Sequence, residues 1–329
     1  MPLKGYGVLK GKAIDSKNGV GQNPHFHVLV VDDELRHRIA VNIKSNVAPS
    51  ELLYYVDEDF DHSIVEELMV LPFGFHDLES KPGGMSLDYI RANHFDTYKM
   101  RPLSHYVPGP ENDLNELIRK YIAKAIGMED SAVYAFGQKW GPETKRDKYF
   151  GFKPGCGIHD IHMNQGNFET WKEDDGVYQD GGLIIHLPDE DRWVAIFLAF
   201  QSQCFHTDDS TGHCIDASPA TGDKSVRIIA ALANPKGRDR GLESVLLLNT
   251  TPEPIDLTGW ALADKNKNKA LLKGSLKAGD VRKVDLSGED VVLSNRGGII
   301  SLLDKKGLKV DGASYAKKDA SRQGWTIVF

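Results

Sequence analysis

Around Asn234-Pro235-Lys236-Gly237-Arg238-Asp239-Arg240-Gly241 the texture of this 329-residue chain changes, and the change limits what the chain can fold into more than any other feature. Before it, helical and strand periodicities are mixed. After it, short apolar runs alternate with turn residues to the end. A run of Asn, Pro, Gly and charged residues has no face to bury, so it reads as a linker between domains at 1–235 and 237–329. Two cores also suit the length, because single cores stop growing beyond about 250–300 residues.

In the first segment, residues 6 to 14 read as β-structure. His25 to Val31 and Arg38 to Lys44 are apolar-rich runs around the polar turn Asp32-Asp33-Glu34-Leu35-Arg36, a hairpin pattern. Period two sets His25, His27, Leu29 and Val31 on one face of the first run. Ser63-Ile64-Val65-Glu66 is a capping-box start for a short helix ending at Pro72, and a longer helix opens near Asp113 with Gly127 as its cap. Ala132–Phe136, Gly182–Leu187 and Trp193–Phe200 read as strands, the last apolar on both faces. Without regular βαβ alternation, the expectation is α+β: a mixed, mostly antiparallel β domain with a few helices. Beyond the linker, strands are expected at Ser244–Asn249, Gly259–Asp264, Val281–Leu286, Asp290–Ser294, Ile299–Asp304 and Trp325–Phe329, a spacing that suggests a β-sandwich.

Chemistry concentrates in Gly155-Cys156-Gly157-Ile158-His159-Asp160-Ile161-His162-Met163-Asn164-Gln165-Gly166-Asn167. Glycines permit sharp turns and close approach to a ligand; His, Asp, Asn and Gln supply donors, acceptors and metal ligands. In a plain strand, alternation would separate His159 from His162. In a helix the i, i+3 spacing would unite them, but the glycines oppose a helix. A second polar cluster, Cys204 to Cys214, contains zinc-competent Cys204, His206, His213 and Cys214 at a spacing that matches no common zinc signature. His186 sits late in an apolar strand.

Tyr6-Gly7-Val8-Leu9-Lys10-Gly11, His25-Phe26-His27, the Gly157–Gly166 motif, Asp180-Gly181-Gly182 and Phe200-Gln201-Ser202-Gln203 resemble the YukJ-like family of bacterial proteins, over nearly the whole first segment. That resemblance implies no particular reaction. Glu243 to Asn249, followed by Ile255-Asp256-Leu257-Thr258-Gly259-Trp260-Ala261-Leu262-Ala263-Asp264, resembles a lamin-tail domain. This second resemblance implies an immunoglobulin-like β-sandwich at 237–329 that serves interaction or scaffolding, with Trp260 read as a core anchor.

Two functional readings stand. In the first the protein is a hydrolase of a phosphodiester-type or other anionic substrate. His162 would be nucleophile or general acid/base, His159 or His186 its partner, and Lys44 would stabilise developing negative charge; Asn164, Gln165, His25 and His27 would bind substrate. A metal-dependent version would use His159, Asp160 and His162 to hold a divalent ion such as zinc. In the second reading the first domain binds a ligand without catalysis and the lamin-tail-like module recruits a protein partner.

Other classes recede. No Walker loop, dinucleotide fingerprint, serine elbow or HExxH helix is present. A net charge of −7 with scattered acidic residues provides no broad nucleic-acid footprint, though a locally basic groove is compatible with it. The first residues lack the apolar stretch of a signal peptide and no segment approaches a membrane span. A cytoplasmic protein is therefore expected, with Cys156, Cys204 and Cys214 as reduced thiols.

Overall fold

The computed structural model describes residues 6–19, 25–43, 52–62, 64–77, 100–103, 112–141, 144–154, 181–200, 225–237, 240–264, 268–305, 307 and 309–329, and the backbone of 158–163. The protein is β-rich, mostly antiparallel, with few helices. Its residues divide into two compact units. The second begins after residue 220 and also takes in Asp61–Met69, the segment carrying α1 (Ile64–Val70).

In chain order the first unit contains β1 (Tyr6–Asn18), β2 (His25–Val31), β3 (Arg36–Asn42), β4 (Leu52–Asp57), β5 (Gly74–Asp77), β6 (Arg101–Pro102), α2 (Asp113–Gly127), β7 (Ala132–Trp140), β8 (Ile158–Met163), β9 (Gly181–Leu187) and β10 (Arg192–Phe200). Among the described residues these strands form one sheet, in the order β5-β1-β2-β3-β8-β7-β9-β10-β4-β6. A further pairing of β1 with β7 closes β1, β2, β3, β8 and β7 into a ring. Within the ring β3 and β8 run parallel; the other neighbours are antiparallel.

Closure depends on one position. Tyr6 to Gly11 pair with β7, and pairing with β2 starts at Lys12, so Gly11 is where β1 leaves one neighbour for the other. A Cβ at Gly11 would run into Val30 Cγ1 and lie 2.9 Å from the Val31 carbonyl oxygen. A glycine inside a strand commonly marks such a corner, where backbones approach closely.

The β2–β3 hairpin turns on Asp32, whose carboxylate accepts the N–H groups of Glu34 (2.7 Å) and Leu35 (2.6 Å) and contacts His37 Nε2 at 2.6 Å. Phe26, Val28, Val30, Ile39 and Val41 point into the ring and join Leu9, Val133 and Ala135 in one apolar cluster. α2 adds Leu114, Ile118, Tyr121, Ile122 and Ala125 to it, side chains at the 3.6-residue period worth about 1.5–3 kcal/mol for each large one buried. The cap of α2 is Asn112, one residue ahead of the expected start: its Oδ1 accepts from the Asn115 N–H at 2.7 Å while its Nδ2 donates to the Ile43 carbonyl at 2.6 Å. Fully buried, Asn112 ties the helix start to the end of β3. The expected cap of α1, Ser63, lies outside the described residues; the Ile64 N–H is held by His62 Nδ1 at 3.0 Å.

The second unit contains β11 (Val226–Leu232), β12 (Ser244–Asn249), β13 (Ile255–Asp256), β14 (Ala261–Ala263), β15 (Lys269–Leu271), β16 (Ser275–Leu276), β17 (Val281–Asp285), β18 (Gly297–Leu303), β19 (Lys309–Ala316) and β20 (Ile327–Val328). Sheets β17-β12-β11-β20 and β15-β14-β18-β19 both contribute to one core that includes Ile228, Leu247, Trp260, Leu262, Ile300 and Leu302.

Two sequence expectations change. The stretch 234–241 is not the boundary between units, because β11, upstream of it, pairs with β12 and β20; the stretch connects β11 to β12 inside the second unit. Asp290–Ser294 is not a strand, although Val291 and Leu293 are buried. Its apolar residues fill the core from a segment whose backbone N–H groups at Val292 and Leu293 bond to the carboxylates of Asp264 and Glu243 instead of to a neighbouring strand.

Candidate functional site

The β2–β3 register is His25↔Asn42, His27↔Ala40 and Leu29↔Arg38. Since Phe26, Val28, Ile39 and Val41 face the core, His25, His27, Arg38 and Asn42 share the outer face. The next strand continues the rows: Ala40 pairs with His162, and His162 with Gln138 of β7. The backbones at His27 and His162 are thus two strand spacings apart, about 10 Å, with Ala40 between them.

β8 is not a plain strand. His37 pairs with Ile158 and Ile39 with Ile161, so His159 and Asp160 together lie opposite Arg38 alone. That is a bulge. One extra residue of β8 interrupts the regular backbone pairing with β3 between Ile158 and Ile161.

A segment between β7 and β8 lies over this outer face. Asp147, wholly buried, forms an ion pair with Arg38, itself 5 % exposed. The other Asp147 oxygen accepts the N–H groups of Tyr149 (3.1 Å), Phe150 and Gly151 (3.1 Å). Gly151, at φ 74°, provides the left-handed turn that lets these N–H groups converge. Tyr149 stacks on His27 with ring centroids 3.7 Å apart, and the Arg38 guanidinium lies 5.1 Å from the Tyr149 centroid. Lys17 of β1 donates to the Tyr149 carbonyl at 2.8 Å and sits 5.2 Å from the Phe150 ring. The segment is therefore clamped to β1, β2 and β3 at once.

Several expected residues find places here. His25 and His27 do share a face, with centroids 6.0 Å apart, but His27 is buried beneath Tyr149 and only half-buried His25 is within reach of a ligand. The backbones of His159, Asp160 and His162 lie in the adjoining strand. Lys44, Asn164, Gln165 and the Cys204–Cys214 cluster lie outside the described residues. Among the described residues no group of three His, Cys, Asp or Glu side chains is placed to hold a metal ion.

His186 is elsewhere. It pairs with Ala132, whereas His162 pairs with Gln138, which separates the two rows by roughly 20 Å along β7. A histidine pair made of these two is therefore excluded. His186 stacks on Trp193 at 4.3 Å, and burial lowers its pKa, with Lys10 adding to the shift and Asp191 opposing it. Lys10 nearby donates to the Leu71 carbonyl at 2.8 Å between the rings of Phe73 and Tyr134; burial lowers its pKa and pushes the Tyr134 phenol up to about 12.

The sequence reading missed Asp147 and Tyr149. The signal was present in Lys145-Arg146-Asp147-Lys148-Tyr149-Phe150, where a lone carboxylate sits among three cations directly ahead of two aromatics.

This closed strand ring with a clamped polar loop belongs to the family described as "Uncharacterized conserved protein (DUF2278)", which matches residues 1–212 of the chain. Within it, the protein YukJ of Bacillus subtilis (strain 168), described as uncharacterized, is 44% identical over 214 residues, a match that covers 64% of this chain and 94% of YukJ. The family match ends before β11, so the part of the second unit from β11 onward lies outside it. Among the described residues no helix is long and apolar enough to cross a membrane.

Proposed function

We propose that the first unit is a binding module for a polyanionic ligand, held on the outer face of β1, β2 and β3 by the segment 144–154. One observation carries this reading. The Arg38–Asp147 pair neutralises the segment's single acidic residue and fixes its backbone, and Lys145, Arg146, Lys148 and Lys153 remain exposed beside Lys17. Cations gathered on a rigid loop attract anions without a large ordering cost on binding. The test is binding of a fluorescent polyphosphate to the full chain. Binding should weaken as salt rises and should fall at least tenfold in a Lys145→Glu/Lys148→Glu variant; salt-independent or unaltered binding would remove the reading.

Hydrolysis of an anionic substrate is the second reading, favoured by the bulge that sets His159 and Asp160 beside the His162 row. There His162 would act as acid/base or nucleophile, and a divalent ion such as zinc would be held by His159, Asp160 and His162. Release of nitrophenolate from bis(p-nitrophenyl) phosphate, with and without added zinc, should then vanish in His162→Ala. No release by the parent protein under either condition would leave binding alone.

For the second unit, we propose an immunoglobulin-like sandwich of the lamin-tail type that recruits a protein partner. Support comes from the Asp256–Asp264 run: Leu257, Trp260 and Leu262 enter the core, and Asp264 accepts from Asn268 and from the Val292 N–H at 3.2 Å. Exposed Trp325, capped by Arg322 at 4.9 Å, offers a contact residue. A partner captured by the full chain should be lost with Trp325→Ala.

A further inference from the structure

We infer that the polyanion bound by the first unit is single-stranded nucleic acid, an inference that rests on the polyanion reading above and adds that bases are read as well as phosphates.

The first ground is connectivity. Numbered by chain order, the ring strands β1, β2, β3, β7 and β8 are first to fifth, and their spatial order is first, second, third, fifth, fourth, back to first. The third and fifth are parallel, and α2 falls between the third and fourth. This is a five-stranded Greek-key ring of the OB type. Such barrels take oligonucleotides or oligosaccharides on the face of their second and third strands, flanked by the loops joining first to second and fourth to fifth. Here the loop joining fourth to fifth contains 144–154, and it is clamped on that face through His27 and Arg38.

The second ground is chemistry. A neutral oligosaccharide would not call for the four exposed cations Lys145, Arg146, Lys148 and Lys153. A sulfated or phosphorylated polymer without bases would not call for aromatics among them. On this face both occur: Lys17 lies 5.2 Å from the half-buried Phe150 ring, and His25 is half-buried on the neighbouring strand. Tyr149 is consumed in anchoring, between His27 and Arg38, so Phe150 is the platform left for a base. Basic tracks that follow a backbone, punctuated by rings on which bases stack, are how single strands are held. Against the net charge of −7, a local positive surface also orients an approaching strand toward this face.

Fluorescence anisotropy on the full chain tests this with four probes of equal length, about 12 nucleotides, within the span of one such barrel: oligothymidylate, oligouridylate, an abasic deoxyribose-phosphate oligomer and duplex DNA. Tighter binding of either single-stranded probe, at least tenfold over both the abasic and the duplex probes, is expected, with the DNA and RNA arms showing which sugar is preferred. Phe150→Leu, which keeps an apolar side chain, should remove most of the advantage over the abasic probe while leaving the salt dependence intact. Equal binding of single-stranded and abasic probes would overturn the inference yet leave polyanion binding standing. Preference for the duplex would overturn it too, and no binding of any probe would remove both.

Discussion

Arg38 on β3 and Asp147 in the β7–β8 segment, 109 residues apart in sequence, meet as a buried ion pair on the outer face of the strand ring. Neither charge would be stable there alone. Arg38 supplies the counter-charge, and the Asp147 carboxylate gathers three backbone N–H groups, so one pair both neutralises a buried patch and sets a loop's shape. Arg38 is thereby engaged in structure, and the exposed positive charge of the segment resides in Lys145, Arg146, Lys148 and Lys153.

Asp147→Asn should destabilise the first unit by about 3 kcal/mol or more, because removing one partner of a buried pair strands the other. Arg38→Met should do the same, and Arg38→Met/Asp147→Asn together should cost less than the sum of the two. Urea unfolding of the three variants checks this; additive losses would show that the two residues do not act as a pair.

Gly11→Ala should cost about 1–3 kcal/mol, an overpacking penalty, because its methyl group would meet Val30 and the Val31 carbonyl where β1 changes neighbours. Thermal unfolding measures it, and an unshifted midpoint would mean that the corner relaxes freely.

Asn112→Ala removes a helix cap and a bond to the Ile43 carbonyl together, for an expected loss of about 1–3 kcal/mol. Asn112→Ser keeps the cap but cannot reach Ile43, so its loss should be intermediate. Equal losses for the two variants would assign the whole effect to the bridge.

Burial lowers the His186 pKa, so the folded state disfavours the imidazolium. Between the ordinary histidine value near ~6.5 and the lowered folded value, the unfolded chain binds the proton and the folded one does not. Stability should therefore decline as pH falls through that window and level off below it. In His186→Gln the midpoint of unfolding should lose this part of its pH dependence, as scanning between about pH 7 and pH 4.5 would show.

How much of this could be read in advance differs from segment to segment. The β2–β3 hairpin was legible because two strand-period runs flank a turn whose Asp32 closes it locally. The core stripe of α2 was legible from its 3.6-residue period. Such local patterns are imprinted on neighbouring residues by backbone geometry, so the sequence by itself determined these elements, the β-rich class and the family over residues 1–212. Register and closure are different: they depend on which distant strands meet. That β1 turns at Gly11 to close a ring, that His159 and Asp160 form a bulge opposite Arg38, that His186 lies far from His162, and that β11 belongs to the second unit are consequences of pairing between remote segments. The loop 144–154 shows the division most plainly. Its cations and aromatics were visible in sequence, but only the tertiary structure, by burying Asp147 against Arg38 and stacking Tyr149 on His27, decided that the loop carrying them lies over the outer face of β2 and β3.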